Sequence, residues 1–137
     1  MGTLKHCGTR WGVTIGTSHF GEEAPLARRL CFALDLVADA DLIAAYEKAH
    51  APGAAWPEVT QAIRAKGFLA MEIWRTADRL FMIAEVADDF PRAIPSELAA
   101  VDAKWEAAMD RFQKVLPHAE PGQKWVGMDR IFTLDAQ

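Results

Sequence analysis

Tyr46 and His50 stand four positions apart, a spacing that sets two side chains on the same face of a helix. An imidazole with an ordinary pKa of about 6.5 takes up and gives back protons near neutral pH. His50 is followed by Ala51-Pro52-Gly53, a run that ends a helix and leaves its last side chain accessible. Two roles fit that position. The ring can serve as a general acid and base, or it can satisfy the last carbonyls of its own helix. Glu72 and Glu85 are single acids inside apolar segments, costly if they face a core without a partner and therefore candidates for chemistry. Turned outward, or paired with Arg75 or Arg79, they would be ordinary surface charges, and Asp129 and Arg130 stand in the same ambiguity.

Five tryptophans, Trp11, Trp56, Trp74, Trp105 and Trp125, are many for 137 residues. An indole face packs against the C–H face of a sugar ring and its N–H can hydrogen-bond, but a small domain also uses indoles to fill its core. Trp56 and Trp105 fall on apolar helical stripes and fit the core. Trp125, beside Gly122 and Lys124 at a loop-to-strand junction, better suits the wall of a site. His6, His19, His50 and His118 are far apart, with no HxH, HxxxH or CxxC pattern, so a dedicated metal site is not expected. Cys7 and Cys31 are too few for a disulfide framework, which suits a reducing, cytoplasmic setting with Cys31 as a buried thiol.

The elements that must position these residues follow from punctuation and periodicity. Residues 1–27 carry five glycines and little periodicity, and read as a flexible extension or as an arm crossing a dimer interface. The folded domain is expected over residues 28–137. Alternation over Leu30 to Leu36 predicts a strand. Asp39 can cap a helix reaching His50, with Leu42, Ile43, Tyr46 and Ala49 on its inner stripe. Trp56-Pro57 opens a second helix, and Gly67 closes it. Strands are predicted over Phe68–Trp74 and Leu80–Val86, joined by a turn at Thr76-Ala77-Asp78 into a hairpin. A longer helix is predicted from Pro95 to Leu116, with Leu98, Val101, Trp105, Ala108, Phe112 and Val115 on one stripe. After a loop over Pro117–Gly122, Val126–Leu134 would form the last strand.

This order is the ferredoxin-like βαββαβ pattern of an α+β protein, with a four-stranded antiparallel sheet and helices on one face. Strand residues of both parities are apolar, so the other face needs a cover, and a second copy of the chain is the simplest one. With 51% hydrophobic and 25% charged residues, the chain has the composition of one globular domain. A net charge of −4 with scattered Lys and Arg leaves no footprint for nucleic acid, and no apolar run reaches membrane-spanning length.

Tyr46-Glu47-Lys48-Ala49-His50 followed by Trp56-Pro57-Glu58-Val59 resembles the helix–break–helix signature of the L-rhamnose mutarotase family. Met71-Glu72-Ile73-Trp74, Arg79-Leu80-Phe81-Met82, Asp88-Asp89-Phe90 and Gly122-Gln123-Lys124-Trp125-Val126 are similar to the branch of that family assigned to L-fucose. So are Trp105 with Met109, and Phe112-Gln113 with Leu116-Pro117; the likeness runs from about Arg29 to Asp135. The resemblance implies a dimeric α/β-barrel, aldose 1-epimerase activity on a monosaccharide, and no metal or organic cofactor. It also implies His50 as the proton donor and substrate contacts from Tyr46 and Trp105. There are departures. The His50-to-Trp56 spacing is longer than in the rhamnose enzymes, Trp105 is followed by Glu106 where they carry a second tryptophan, and Met71 stands where they place a sugar-contacting tyrosine. These differences weigh against rhamnose and favour L-fucose, or a related L-sugar, as substrate.

Mutarotation removes a proton from the anomeric hydroxyl and delivers one to the ring oxygen, and ring closure on the other face reverses both transfers. The expected assignment gives delivery to His50, orientation to Tyr46 and the opposing base to Glu72, with Trp56, Trp74, Trp105 and Trp125 as sugar contacts. Alternatives are a rhamnose-specific enzyme, a ferredoxin-like dimeric oxygenase or haem-handling protein using His50 as a ligand, and a non-catalytic sugar-binding module.

Overall fold

The computed structural model describes residues 27–137. The extension expected over residues 1–27, with His6, Cys7, Trp11 and His19, lies outside the described residues except for Ala27, which opens the first strand.

Strand β1 (Ala27–Leu36) has the alternation of a sheet with one well-covered face. Phe32, Leu34 and Leu36 are fully buried, while Cys31, Ala33 and Asp35 point to the other face and are only partly covered. Cys31 is therefore not the fully buried thiol its apolar neighbours suggested. Helix α1 (Ala40–Ala49) is capped by Asp39, whose carboxylate accepts from the Leu42 N–H at 2.9 Å. Helix α2 (Pro57–Ala65) starts on the proline and stops at Gly67, which has φ +110°. A Cβ at Gly67 would meet the Phe90 side chain at an ordinary contact distance of 3.4 Å, so it is the backbone conformation that calls for glycine.

Strands β2 (Phe68–Thr76) and β3 (Arg79–Ala87) form the hairpin through a tight turn with Ala77 at φ 49°. Strand β3 then pairs antiparallel with β1 from Ala27↔Ala87 to Asp35↔Arg79. That last pair is tied by a bidentate Arg79–Asp35 ion pair at 2.7 and 3.1 Å, which holds the Asp35 carboxyl below its ordinary range. Helix α3 (Ser96–Met109) runs into a short 3-10 turn at Asp110–Phe112, and strand β4 (Gln113–Lys114) follows directly. Strand β5 is Val126–Gly127. The sheet order is β2-β3-β1-β4, with β5 also pairing with β1, and every pairing is antiparallel.

The α+β class and the antiparallel sheet with helices are as expected, but two boundaries move. The helix predicted to Leu116 ends at Met109, because Gln113 turns extended (φ −101°, ψ 145°) to pair with Leu36. The fourth strand is shared by two short pieces, β4 and β5, and residues beyond Gly127 leave the sheet before a 3-10 turn at Leu134–Ala136. Asp129 and Arg130 are exposed there, and so are Ile131, Phe132 and Leu134.

One core lies between the helices and the inner sheet face, built from Phe32, Leu34, Leu36, Leu80, Met82 and Val86 with Tyr46, Trp105 and Phe112 from the helical side. Each such side chain contributes about 1.5–3 kcal/mol by leaving water. The opposite sheet face carries Trp74 (59% exposed), Ile83 and Glu72 with no element over them among the described residues.

Candidate active site

A cavity of about 100 Å³ opens between the helices and the inner sheet face. That is several times the space one water needs and enough to admit a small polar molecule. Helix α1 contributes Tyr46 and, at its C-cap, His50; α3 contributes Trp105 and Glu106, and the segment before β5 contributes Trp125.

His50 is fixed from two sides. Its Nδ1 lies 2.7 Å from the Tyr46 carbonyl oxygen. A carbonyl only accepts, so Nδ1 carries the hydrogen and Nε2 is left with a lone pair. The ring sits 4.2 Å from the Tyr46 ring and meets Trp105 edge-on at 5.4 Å, centroid to centroid. Burial lowers the His50 pKa from its usual value, with the Tyr46 carbonyl working against it, so the neutral imidazole prevails near pH 7. Of the two roles open for His50, the structural one is filled by Nδ1, which satisfies a carbonyl of its own helix, while Nε2 keeps its lone pair.

The Tyr46 hydroxyl is pushed up to about 12, first by burial, with hydrogen bonding to Gln113 pulling down and the Glu106 charge adding to the rise. At neutral pH it is a phenol, able to donate a hydrogen bond and unable to act as a free base. Trp56 stands edge-on to Trp105 at 5.2 Å and backs the indole wall without lining the cavity itself.

Four polar residues not singled out as site candidates in the sequence reading also line the cavity: Thr60, Asp102, Glu106 and Gln113. Asp102, Trp105, Glu106 and Met109 follow the i, i+3, i+4, i+7 rule, so they form the inner face of α3. The expected stripe ran through Ala108 instead, which is exposed. Placing an aspartate on the inner face is unfavourable unless it is paired, and its partner is 36 residues away: Lys66 Nζ lies 2.7 Å from Asp102 Oδ2, with both side chains only 5–6% exposed. Glu106 is held by Lys124, which also donates to the Glu106 carbonyl at 2.8 Å and pairs with Asp110. That lysine fastens the loop carrying Trp125 to α3. Gln113 has a buried side-chain oxygen with no hydrogen-bond partner among the described residues.

Glu72 and Trp74 do not join this group. Met71 and Ile73 line the cavity, and the two-residue period of β2 sends Glu72 and Trp74 to the opposite face. There the Trp74 indole N–H donates to Glu72 at 3.0 Å. Glu85 is likewise exposed, opposite Arg29 in the register, and Arg75 pairs with Glu47 of α1 rather than with either candidate acid. Among the described residues no cluster of three His, Cys, Asp or Glu side chains could hold a metal ion, and no helix is long and apolar enough to cross a membrane.

Fold and cavity together describe a small α+β protein whose cavity, lined by an imidazole and a phenol, is of a size for a compact polar molecule. Residues 29–134 match the family model of L-rhamnose mutarotase, and the chain belongs to that family of carbohydrate isomerases. It is 46% identical over 110 residues to an L-fucose mutarotase of Xanthomonas campestris pv. campestris, covering 78% of this chain and 88% of that protein. A Dictyostelium discoideum protein of the UPF0734 group is 34% identical over 110 residues, covering 75% and 86%. A crystal structure of an L-rhamnose mutarotase from Formosa agariphila shares the fold, with a TM-score of 0.57 at 22% identity, covering 78% of this chain and 98% of that one.

Proposed function

We propose that this sugar mutarotase acts on a 6-deoxy-L-hexose, L-fucose first, and that His50 alone moves the proton. The neutral ring with its free Nε2 carries this reading. Nε2 takes the proton from the anomeric hydroxyl while the C1–O5 bond breaks and the anomeric oxygen becomes the aldehyde. The imidazolium then returns that proton to O5. Both oxygens are bonded to C1, so one nitrogen within hydrogen-bond reach of the first is close to the second. Rotation about C1–C2 and the reverse sequence give the other anomer. Delivery to the ring oxygen stays with His50, as expected from sequence, and Glu72 is not needed as an opposing base.

The 46% identity to an L-fucose mutarotase supports the choice of fucose over rhamnose. Tyr46, still protonated at neutral pH, donates to a sugar oxygen, and the Trp105 and Trp125 faces pack on ring C–H groups. The uncovered sheet face with Trp74 and Ile83, together with the exposed Ile131, Phe132 and Leu134, supports a homodimer that hides them. A Trp74→Glu variant that stays dimeric in sedimentation would rule out that face.

The deciding experiment is proton NMR exchange between the α and β anomeric signals. Exchange that rises in proportion to enzyme for L-fucose and less for L-rhamnose or D-glucose establishes reaction and substrate. No acceleration with any of the three refutes the proposal.

A further inference from the structure

The cavity is divided by chemistry. Its charged, imidazole, phenol and amide side chains come from three elements: Tyr46 on α1 with His50 at its C-cap, Asp102 and Glu106 on α3, and Gln113 on β4. The lining from the other elements is aliphatic or thioether apart from Thr60, with Ile63 from α2, Met71 and Ile73 from β2, and Met82 from β3. The sheet register makes this a continuous patch. Ile73 is directly opposite Met82, and Met71 lies two positions along on the same face of β2. Thr60, from α2, donates to the Pro57 carbonyl of its own helix at 2.8 Å. Ile73 remains 36% exposed and Met71 half-buried, so the patch has apolar surface still to be covered.

A hexopyranose has hydroxyls or a ring oxygen on every side but one when its C6 carries no oxygen. We propose that this aliphatic patch receives the C6 methyl of a 6-deoxy-L-hexose, and that Met71 is the residue that rejects a hydroxyl there. The inference rests on the mutarotase reading above and adds to it the end of the sugar that decides specificity. A methyl group against the still exposed surface of Met71 and Ile73 exchanges water for dispersion contacts. A C6 hydroxyl would lose its water and find thioether and alkyl groups in return. Methionine suits the task, because its flexible, polarizable chain follows the shape of a small apolar group.

Sugars that differ only at C6 test this with the other stereocentres unchanged. L-galactose is L-fucose with a C6 hydroxyl, L-mannose stands in the same relation to L-rhamnose, and D-arabinopyranose is L-fucose without C6. The enzyme-proportional anomer exchange should be at least about tenfold, and up to about a hundredfold, lower in kcat/KM for each hydroxylated sugar than for its deoxy counterpart. D-Arabinose should fall between L-fucose and L-galactose, losing the methyl contact without burying a hydroxyl. Met71→Gln should narrow the L-fucose to L-galactose ratio by about tenfold, and Met71→Leu should keep it within about threefold of the original.

Deoxy and hydroxylated sugars exchanging within about threefold of one another would overturn the proposal, as would D-arabinose running slower than L-galactose. A Met71→Gln enzyme that slows every sugar equally would overturn the part given to Met71. The sugar comparisons use the unaltered protein, so they decide the matter even if the glutamine variant does not fold. Acceleration without discrimination at C6 overturns this inference alone, whereas no acceleration for any of the sugars removes the mutarotase reading with it.

Discussion

Replacing His50 with glutamine separates catalysis from stability, because the structure limits what the fold can lose. The substitution removes one hydrogen bond, from Nδ1 to the Tyr46 carbonyl, worth about 1 kcal/mol. It also removes the ring contacts with Tyr46 and Trp105, worth about 0.5–1.5 kcal/mol in total for a ring on the cavity edge. A glutamine amide recovers part of both, so about 1–2 kcal/mol is the expected cost, a Tm drop of roughly 3–8 °C. Even a domain of only about 5 kcal/mol would remain about 99% folded at 25 °C. The rate should nevertheless fall by about 10²–10⁴, or about 2.7–5.5 kcal/mol in the barrier, the usual contribution of a positioned acid–base group. Anomer-exchange NMR on L-fucose, with a thermal melt followed by tryptophan fluorescence on the same preparations, reads both quantities. A variant that exchanges anomers within about threefold of the parent would refute the assignment of His50. So would a loss of rate matched by the loss of folded protein.

Because burial lowers the His50 pKa, the parent's rate should hold through neutral pH and decline only below the usual histidine range near 6.5, a limb absent from the residual activity of His50→Gln. Stability shares the sign: the His50 contribution is complete above the unfolded-state pKa and is lost as pH falls through the depressed one, so acid should unfold the parent more steeply than the variant in urea titrations at pH 5 and 7. Lys66→Met strips the cation from the buried Asp102 carboxylate and should cost about 3–5 kcal/mol by denaturant melt, while Lys66→Met with Asp102→Leu should recover much of it; a single variant costing under about 1 kcal/mol would contradict the buried pair. Tyr46→Phe should lower kcat/KM about tenfold through the lost hydroxyl and leave the pH limb of His50 in place, read from the same NMR exchange across pH.

What could be read from the chain ahead of its structure follows the range of the interaction concerned. Asp39 before an apolar stripe, Pro57 at a helix start, Gly67 at a helix stop and the Thr76–Asp78 turn are local signals, and each marks the element it announced. The Tyr46 and His50 pair was legible for the same reason, since one helical turn joins them. Asp102 was not, because its burial depends on Lys66, which is distant in sequence. Periodicity alone put the α3 stripe through the apolar Ala108 and missed the face bearing Asp102, Glu106 and Met109. The end of that helix was overrun because Phe112 and Val115 continue the helical spacing, while pairing of Gln113 and Lys114 with β1 decides the backbone. Glu72 was misplaced for a simpler reason: apolar residues of both parities on β2 left no sequence signal for which face is inner.

The cavity is assembled from residues as far apart as Tyr46 and Trp125, and its last walls depend on Leu36 meeting Gln113 and Ala33 meeting Val126. These are among the longest loop closures in the described chain, and contacts so distant in sequence are slow to form. Turnover during refolding should therefore appear only with the final phase, after the β2–β3 hairpin and the isolated helices. Helices and the hairpin can form without those closures but the cavity cannot, which makes anomer exchange a stricter gauge of complete folding than any spectroscopic signal of helix or strand.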